Sequence, residues 1–73
     1  MFGIERRNGI LSLLNDKKSI TVQDTAALYD VTEETIRRDL RVMENQGLVI
    51  RTHGGAVLAD DIHMETSIEI REG

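Results

Sequence analysis

The segment Val31–Leu40 reads V-T-E-E-T-I-R-R-D-L and holds two consecutive arginines, Arg37 and Arg38, with Arg41 one turn on. A guanidinium is a planar, permanently charged fork. It matches guanine O6/N7 or a phosphate with two parallel hydrogen bonds, which the point charge of lysine does not do. Placed on one face of a helix, such groups can read base edges or clamp a nucleic-acid backbone. The segment runs directly into M-E-N-Q-G-L-V-I-R-T-H-G-G-A-V, a helix end followed by a short hairpin pattern that adds Arg51 and His53.

At about 100° per residue, the helix around these arginines has two faces. Ile36, Leu40 and Met43 share one and are expected in the core. Glu34, Arg38, Arg41 and Asn45 lie opposite, with Thr35 and Arg37 on the flanks. The N-terminal half of a recognition helix is aimed at base edges, so Thr35 and Arg38 are the expected base readers. Arg37 and Arg41 are the expected phosphate clamps, which position a helix without reading sequence. Arg51 and His53, just before the Gly54-Gly55 tip, are expected to touch DNA from the hairpin; the alternative is that Arg51 only pairs with an acid on the body and His53 is a surface turn residue. Arg6 and Arg7 near the amino end suit either backbone phosphate or simple solvation of the first helix. Solubility alone also accounts for many helical Arg and Glu residues, and Glu33–Arg37 and Glu34–Arg38 are both i,i+4 pairs. Asp39 would repel phosphate; it is expected near the core edge, paired with an arginine of the same domain.

The surrounding elements must hold these groups. A first helix is predicted from Glu5 to about Asn15, with Ile10, Leu11, Leu13 and Leu14 as its apolar face, extended by Ile4. Gly9 inside it costs about 1 kcal/mol relative to alanine. Lys17 and Lys18 are expected in a loop and Ser19–Thr21 as a short strand. Thr21 is an N-cap candidate with Asp24 three residues on, a capping-box pattern with a shortened acid. The second helix is predicted over Val22–Tyr29, with Val22, Ala26 and Tyr29 on one face and Leu28 beside them. Asp30-Val31 makes a turn. Thr32 caps the third helix, where Glu33 and Glu34 complement the helix dipole. Gly47 is expected just past its end near Gln46. Leu48–Thr52 and Ala56–Ala59 read as strands joined at Gly54-Gly55, a two-residue turn of positive φ.

The expected fold is mainly α with a small β-hairpin: a winged helix-turn-helix of three helices plus a wing. Residues 1–59 form the domain. The acidic segment 60–73 reads as a linker, and its alternation of Ile62, Met64, Ile68 and Ile70 hints at partial burial.

Composition narrows the function classes. The chain has 73 residues and no cysteine, so disulfides and thiolate zinc sites are excluded. No apolar run approaches the roughly 18 residues of a membrane span, and the first residues lack a signal-peptide core, so a cytoplasmic protein with no membrane partner is expected. The net charge is −4. Acids and bases balance from Met1 to Leu58; Asp60, Asp61, Glu65, Glu69 and Glu72 against Arg71 carry the excess. DNA binding needs a basic face, not a basic total. Two histidines, no cysteine and no paired carboxylates in an apolar setting leave no catalytic constellation. His63 and Met64 are adjacent and lack metal-ligand spacing, so neither metal nor cofactor is expected. RNA binding lacks an aromatic stacking platform, with one Phe and one Tyr. A winged helix used for protein–protein contact is the remaining alternative.

Three motifs in order carry a resemblance: T-I-R-R-D-L at Thr35–Leu40, Gly47-Leu48, and H-G-G-A-V at His53–Val57. With their spacing, the stretch from Arg6 to Leu58 resembles the DNA-binding domain of the DeoR family of bacterial transcriptional repressors. The resemblance implies a winged helix-turn-helix with a recognition helix from Thr32 to about Asn45. Thr35, Arg37 and Arg38 would be its DNA-facing signature, with Gly54 and Gly55 on the wing. It also implies that S-I-E-I-R-E-G leads toward a larger domain similar to sugar-phosphate isomerases. That absent domain would sense a phosphorylated sugar and assemble a homo-oligomer, and the partner of this one would be a double-stranded operator. Two positions depart from the family pattern. Thr25 stands where an apolar residue is usual, and Asp30 where glycine or asparagine is usual. Both bear on stability rather than on the reading face.

Overall fold

The computed structural model describes residues 2–59. The expected linker 60–73, with its alternating Ile62, Met64, Ile68 and Ile70, lies outside the described residues. The order of elements is α1 (Gly3–Lys17), β1 (Ser19–Thr21), α2 (Val22–Tyr29), α3 (Glu33–Asn45), β2 (Val49–Thr52) and β3 (Gly55–Leu58). This is a mostly helical winged helix-turn-helix. No helix among the described residues is long and apolar enough to cross a membrane.

Helix α1 is longer than the sequence predicts, by two residues at each end. The Phe2 amide donates to the Glu5 carboxylate at 3.2 Å, which stops the helix start from fraying. Lys17 is helical rather than in a loop, and Lys18 ends the helix with φ 76° while its amide reaches Leu14 O at 2.8 Å. Ile10 and Leu14 are fully buried and Leu11 and Leu13 half-buried, but Ile4 is 63% exposed and does not extend the apolar face. Gly9 has a packing reason. A Cβ there would strike the hydroxyl of Tyr29, so its absence makes room for the Tyr29 ring end against α1.

Helix α2 starts where Thr21 caps it, accepting from the Asp24 amide at 3.0 Å. Thr25 is buried, and its hydroxyl donates to Thr21 O at 2.7 Å. The polar residue is therefore satisfied, and the helix stays anchored without an apolar side chain there. Leu28 does not join Val22 and Ala26 in the core; it is 62% exposed. Asp30 adopts the left-handed conformation, φ 57° and ψ 47°. Its amide donates to Ala27 O at 3.3 Å and that of Val31 to Ala26 O at 3.0 Å, a Schellman closure. Val31 packs against the core, so the sharp turn into α3 is fixed by both hydrogen bonds and burial.

Helix α3 ends the same way. Gly47 has φ 80°, and Gly47 and Leu48 donate to Glu44 O and Met43 O, both at 2.9 Å. Leu48 belongs to this closure rather than to the strand, which begins at Val49. The sheet is three-stranded and antiparallel in the order β1-β3-β2. Ser19–Thr21 is thus a full partner of the wing, more than the simple hairpin expected. Thr52 pairs with Gly55, so the turn residues are His53 and Gly54 rather than Gly54-Gly55. Gly54 supplies the positive φ, 83°. Gly55 lies within β3 opposite Thr21, where a Cβ would run into the backbone carbonyl of Ile20.

Ile10, Leu14, Val22, Ala26, Ile36, Leu40, Met43, Val49, Ala56 and Leu58 form one core that joins all three helices to the sheet. The three residues of α3 expected inward are all in it, which turns the opposite face of α3 outward.

Candidate nucleic-acid interface

The start of α3 is built by two threonines. Thr32 Oγ1 accepts from the Thr35 amide at 3.1 Å, and the two hydroxyls lie 2.9 Å apart. Thr35 is half-buried on the flank of the helix, with its hydroxyl held by the cap. Arg37, Arg38 and Arg41 are exposed along the next two turns.

The charge pairing of these arginines separates them. Arg37 meets Glu33 at 3.0 Å and Glu34 at 3.6 Å, and Arg41 meets Glu34 at 3.4 Å. The expected Glu34–Arg38 pair is not formed, because Glu34 bridges the arginines on either side. Among the described residues Arg38 enters no ion pair. Its guanidinium, in the N-terminal half of α3, stands ready for an outside acceptor.

Below this face lies a buried charge cluster. Asp39 is 2% exposed. It accepts from Arg6 Nε and from Arg6 Nη2 at 3.1 Å, and from Arg7 Nη1 at 3.3 Å. The expectation that Asp39 pairs within the domain holds. Arg6 and Arg7 meet neither of their expectations: they turn inward and tie α1 to α3. The Asp39 carboxylate raises the Arg6 pKa above its ordinary value, and partial burial opposes the rise. No buried side-chain polar atom among the described residues lacks a partner.

The wing places Arg51, His53 and Gly54 beside α3. Arg51 is exposed and paired through Nε with Glu44 at 3.0 Å. His53 and Gly54 form the exposed tip. The tip is not loose: the Val22 amide donates to Gly54 O at 2.8 Å. One of the otherwise unpaired N–H groups at the start of α2 thus holds the wing. An open cleft of about 330 Å³ is lined by Arg37 and Leu40 of α3, Arg51 and Gly54 of the wing, and Val22 of α2. The structure therefore brings Arg37, Arg51 and Gly54 to a single space, with Arg38 and Arg41 on the adjoining helix surface. The i,i+4 pair Glu33–Arg37 is formed as its spacing suggests, and Arg51 does pair with an acid on the body, but the identity of that acid is not legible in the sequence. Glu44 faces Arg51 across two elements, for which no sequence spacing is diagnostic.

Among the described residues no group of three or more His, Asp or Glu side chains can hold a metal ion. The arrangement offers an exposed arginine-bearing helix beside a pinned wing.

Comparison with known proteins decides what this arrangement belongs to. Residues 6–61 match the model of the DeoR-like helix-turn-helix domain. The chain belongs to the DeoR-like helix-turn-helix family. Its relatives carry the names of transcriptional regulators and repressors. Among its DeoR-like relatives is the putative galactitol utilization operon repressor of Escherichia coli, 42% identical over 69 residues, or 94% of this chain and 62% of the relative. The HTH-type transcriptional regulator GolR of Listeria innocua is 45% identical over 58 residues, covering 80% of this chain and 23% of the relative. The glycerol-3-phosphate regulon repressor of Escherichia coli is 37% identical over 54 residues, 74% of this chain and 21% of the relative. The chain thus spans less than two thirds of the length of the relatives it matches. No solved structure matches the chain.

Proposed function

We propose that this chain reads the operator of a bacterial repressor of sugar-metabolism genes. Helix α3 enters the major groove with Thr35 and Arg38 at base edges. Thr32, at the helix N-terminus, contributes to the approach to the backbone. Arg37, Arg41 and Arg51 neutralise phosphates, and His53 and Gly54 bring the wing tip to the flanking backbone. Repression follows by occlusion of a promoter. The observation that carries this reading is the exposed Arg38, without an ion-pair partner among the described residues and flanked by three further exposed arginines beside the wing.

The whole regulator, in this proposal, is a cytoplasmic, non-catalytic homo-oligomer. Residues 60–73 lead from the reader, residues 1–59, to a domain that binds a phosphorylated sugar and releases the operator. The names of the galactitol utilization operon repressor and the glycerol-3-phosphate regulon repressor support a link to carbohydrate metabolism, and the greater length of the relatives supports a further domain. Symmetric half-sites would then be read by paired copies.

Salt dependence on a short random-sequence duplex tests DNA binding against the protein-docking alternative. Neutralising two to three phosphates gives a slope of log affinity against log salt of about −2 to −3. A slope near zero, or no binding at low salt, would transfer the arginines to an acidic protein partner.

A further inference from the structure

We propose that Arg37 and Arg51 grip one and the same backbone phosphate of the bound duplex, seated in the cleft between α3, the wing and the start of α2. The inference rests on the DNA-binding reading and goes beyond it, since the two side chains come from different elements and would otherwise be independent clamps.

Three observations carry it. First, both arginines line one cleft of about 330 Å³ with Leu40, Val22 and Gly54, which is room for a phosphodiester group and part of its sugar. A phosphodiester has two unesterified oxygens, so each arginine can take one, or both can share. Second, the width of the cleft is set by the scaffold. Arg37 is on the helix whose inner face is the core. Arg51 is on a strand whose hairpin is pinned by the 2.8 Å bond from the Val22 amide to Gly54 O. Gly54 presents no side chain toward an approaching backbone, and a Cβ built there meets nothing within 4 Å. Third, both arginines are held ready by carboxylates that a phosphate can replace. Arg37 rests on Glu33 and Glu34, and Arg51 on Glu44, all in exposed pairs. Exposed pairs of this kind are weak and screened by salt, whereas a phosphate between two guanidiniums is met by two charge-assisted forks.

The test uses the 73-residue chain and a duplex recovered by selection from a randomised pool. Each phosphate of the bound site is replaced in turn by a neutral methylphosphonate. With the unaltered protein, one position near the wing should cost on the order of tenfold in affinity. In Arg37→Ala the penalty at that position should shrink, and in Arg51→Ala it should shrink at the same position. In the double variant it should vanish, with the salt slope flattened by about 0.9, one phosphate's worth, rather than by twice that. Penalties that move to two different positions, with additive losses and a slope change of about 1.8, would overturn the shared grip while leaving DNA binding intact. Failure of the unaltered protein to bind any duplex at low salt would overturn both.

Discussion

Replacing Asp39 by asparagine keeps the size of the side chain and one carbonyl oxygen but removes the charge that holds Arg6 and Arg7. The carboxylate is 2% exposed and takes three hydrogen bonds from two guanidiniums, two from Arg6 and one from Arg7. Removing one partner of a buried ion pair costs about 3–5 kcal/mol, because the other charge is left without compensation. The Arg6 and Arg7 side chains keep 13% and 28% exposure, so water recovers part of that loss. The expected cost is therefore near the bottom of the range, about 3 kcal/mol. A domain of 73 residues has a stability of roughly 4–11 kcal/mol. Urea unfolding followed by circular dichroism reads the effect. With a slope of about 1 kcal/mol per molar for so small a protein, the midpoint should fall by about 3 M. Arg7→Ala should cost less, about 1 kcal/mol, since Arg6 retains both of its bonds. Adding Arg6→Gln to Asp39→Asn should cost little more than Asp39→Asn alone, because the two act as a unit. A midpoint shift under about 0.5 M for Asp39→Asn would show that the cluster contributes no net stability and would refute the reasoning.

Four other substitutions have defined outcomes. Arg38→Ala should cost about 1–3 kcal/mol on a selected site and relax preference at one base position, with the fold unchanged. A uniform loss across sequences would remove it from the base readers. Gly55→Ala should destabilise by about 3 kcal/mol, the upper end for overpacking, because its Cβ meets the rigid carbonyl of Ile20. Gly54→Ala, in open space, should cost only the positive-φ strain, about 1–2 kcal/mol. Equal melting shifts for the two would contradict the strand register. Gly9→Ala should fail to deliver the stabilisation of about 1 kcal/mol that alanine brings to an open helix position, because Tyr29 must move. A full gain in thermal stability would show that the contact with Tyr29 is unimportant.

Local chemistry made much of this legible in the chain alone. The caps at Thr21 and Thr32, the left-handed turn at Asp30 and the inward row Ile36, Leu40 and Met43 all depend on residues within about two helical turns of one another. Each appears where spacing places it. What failed to read through was non-local or degenerate. The partners of Asp39 lie 32 and 33 positions away. With arginines adjacent to it in the sequence, nothing singles out those of α1. In the pair Gly54-Gly55, either glycine can supply a positive φ. Only the pairing of Thr52 with Gly55, together with β1 on the other side, shows that Gly54 turns and Gly55 packs. Leu28 sits beside an apolar row on the wheel yet faces out, since α2 is covered on one side only. Glu34 has two arginines within reach besides the one that i,i+4 spacing favours, and it takes those two.

The roles of Thr35 and Arg38 as base readers are the centre of the account, and selection addresses them most directly. The chain, fused to a dimeric scaffold at moderate salt, would be challenged with a randomised duplex pool, in parallel with Arg38→Ala. The account predicts recovery of a defined half-site with one position whose preference is lost in the variant. Recovery of duplex without any sequence preference would contradict it, leaving the arginines as phosphate clamps alone.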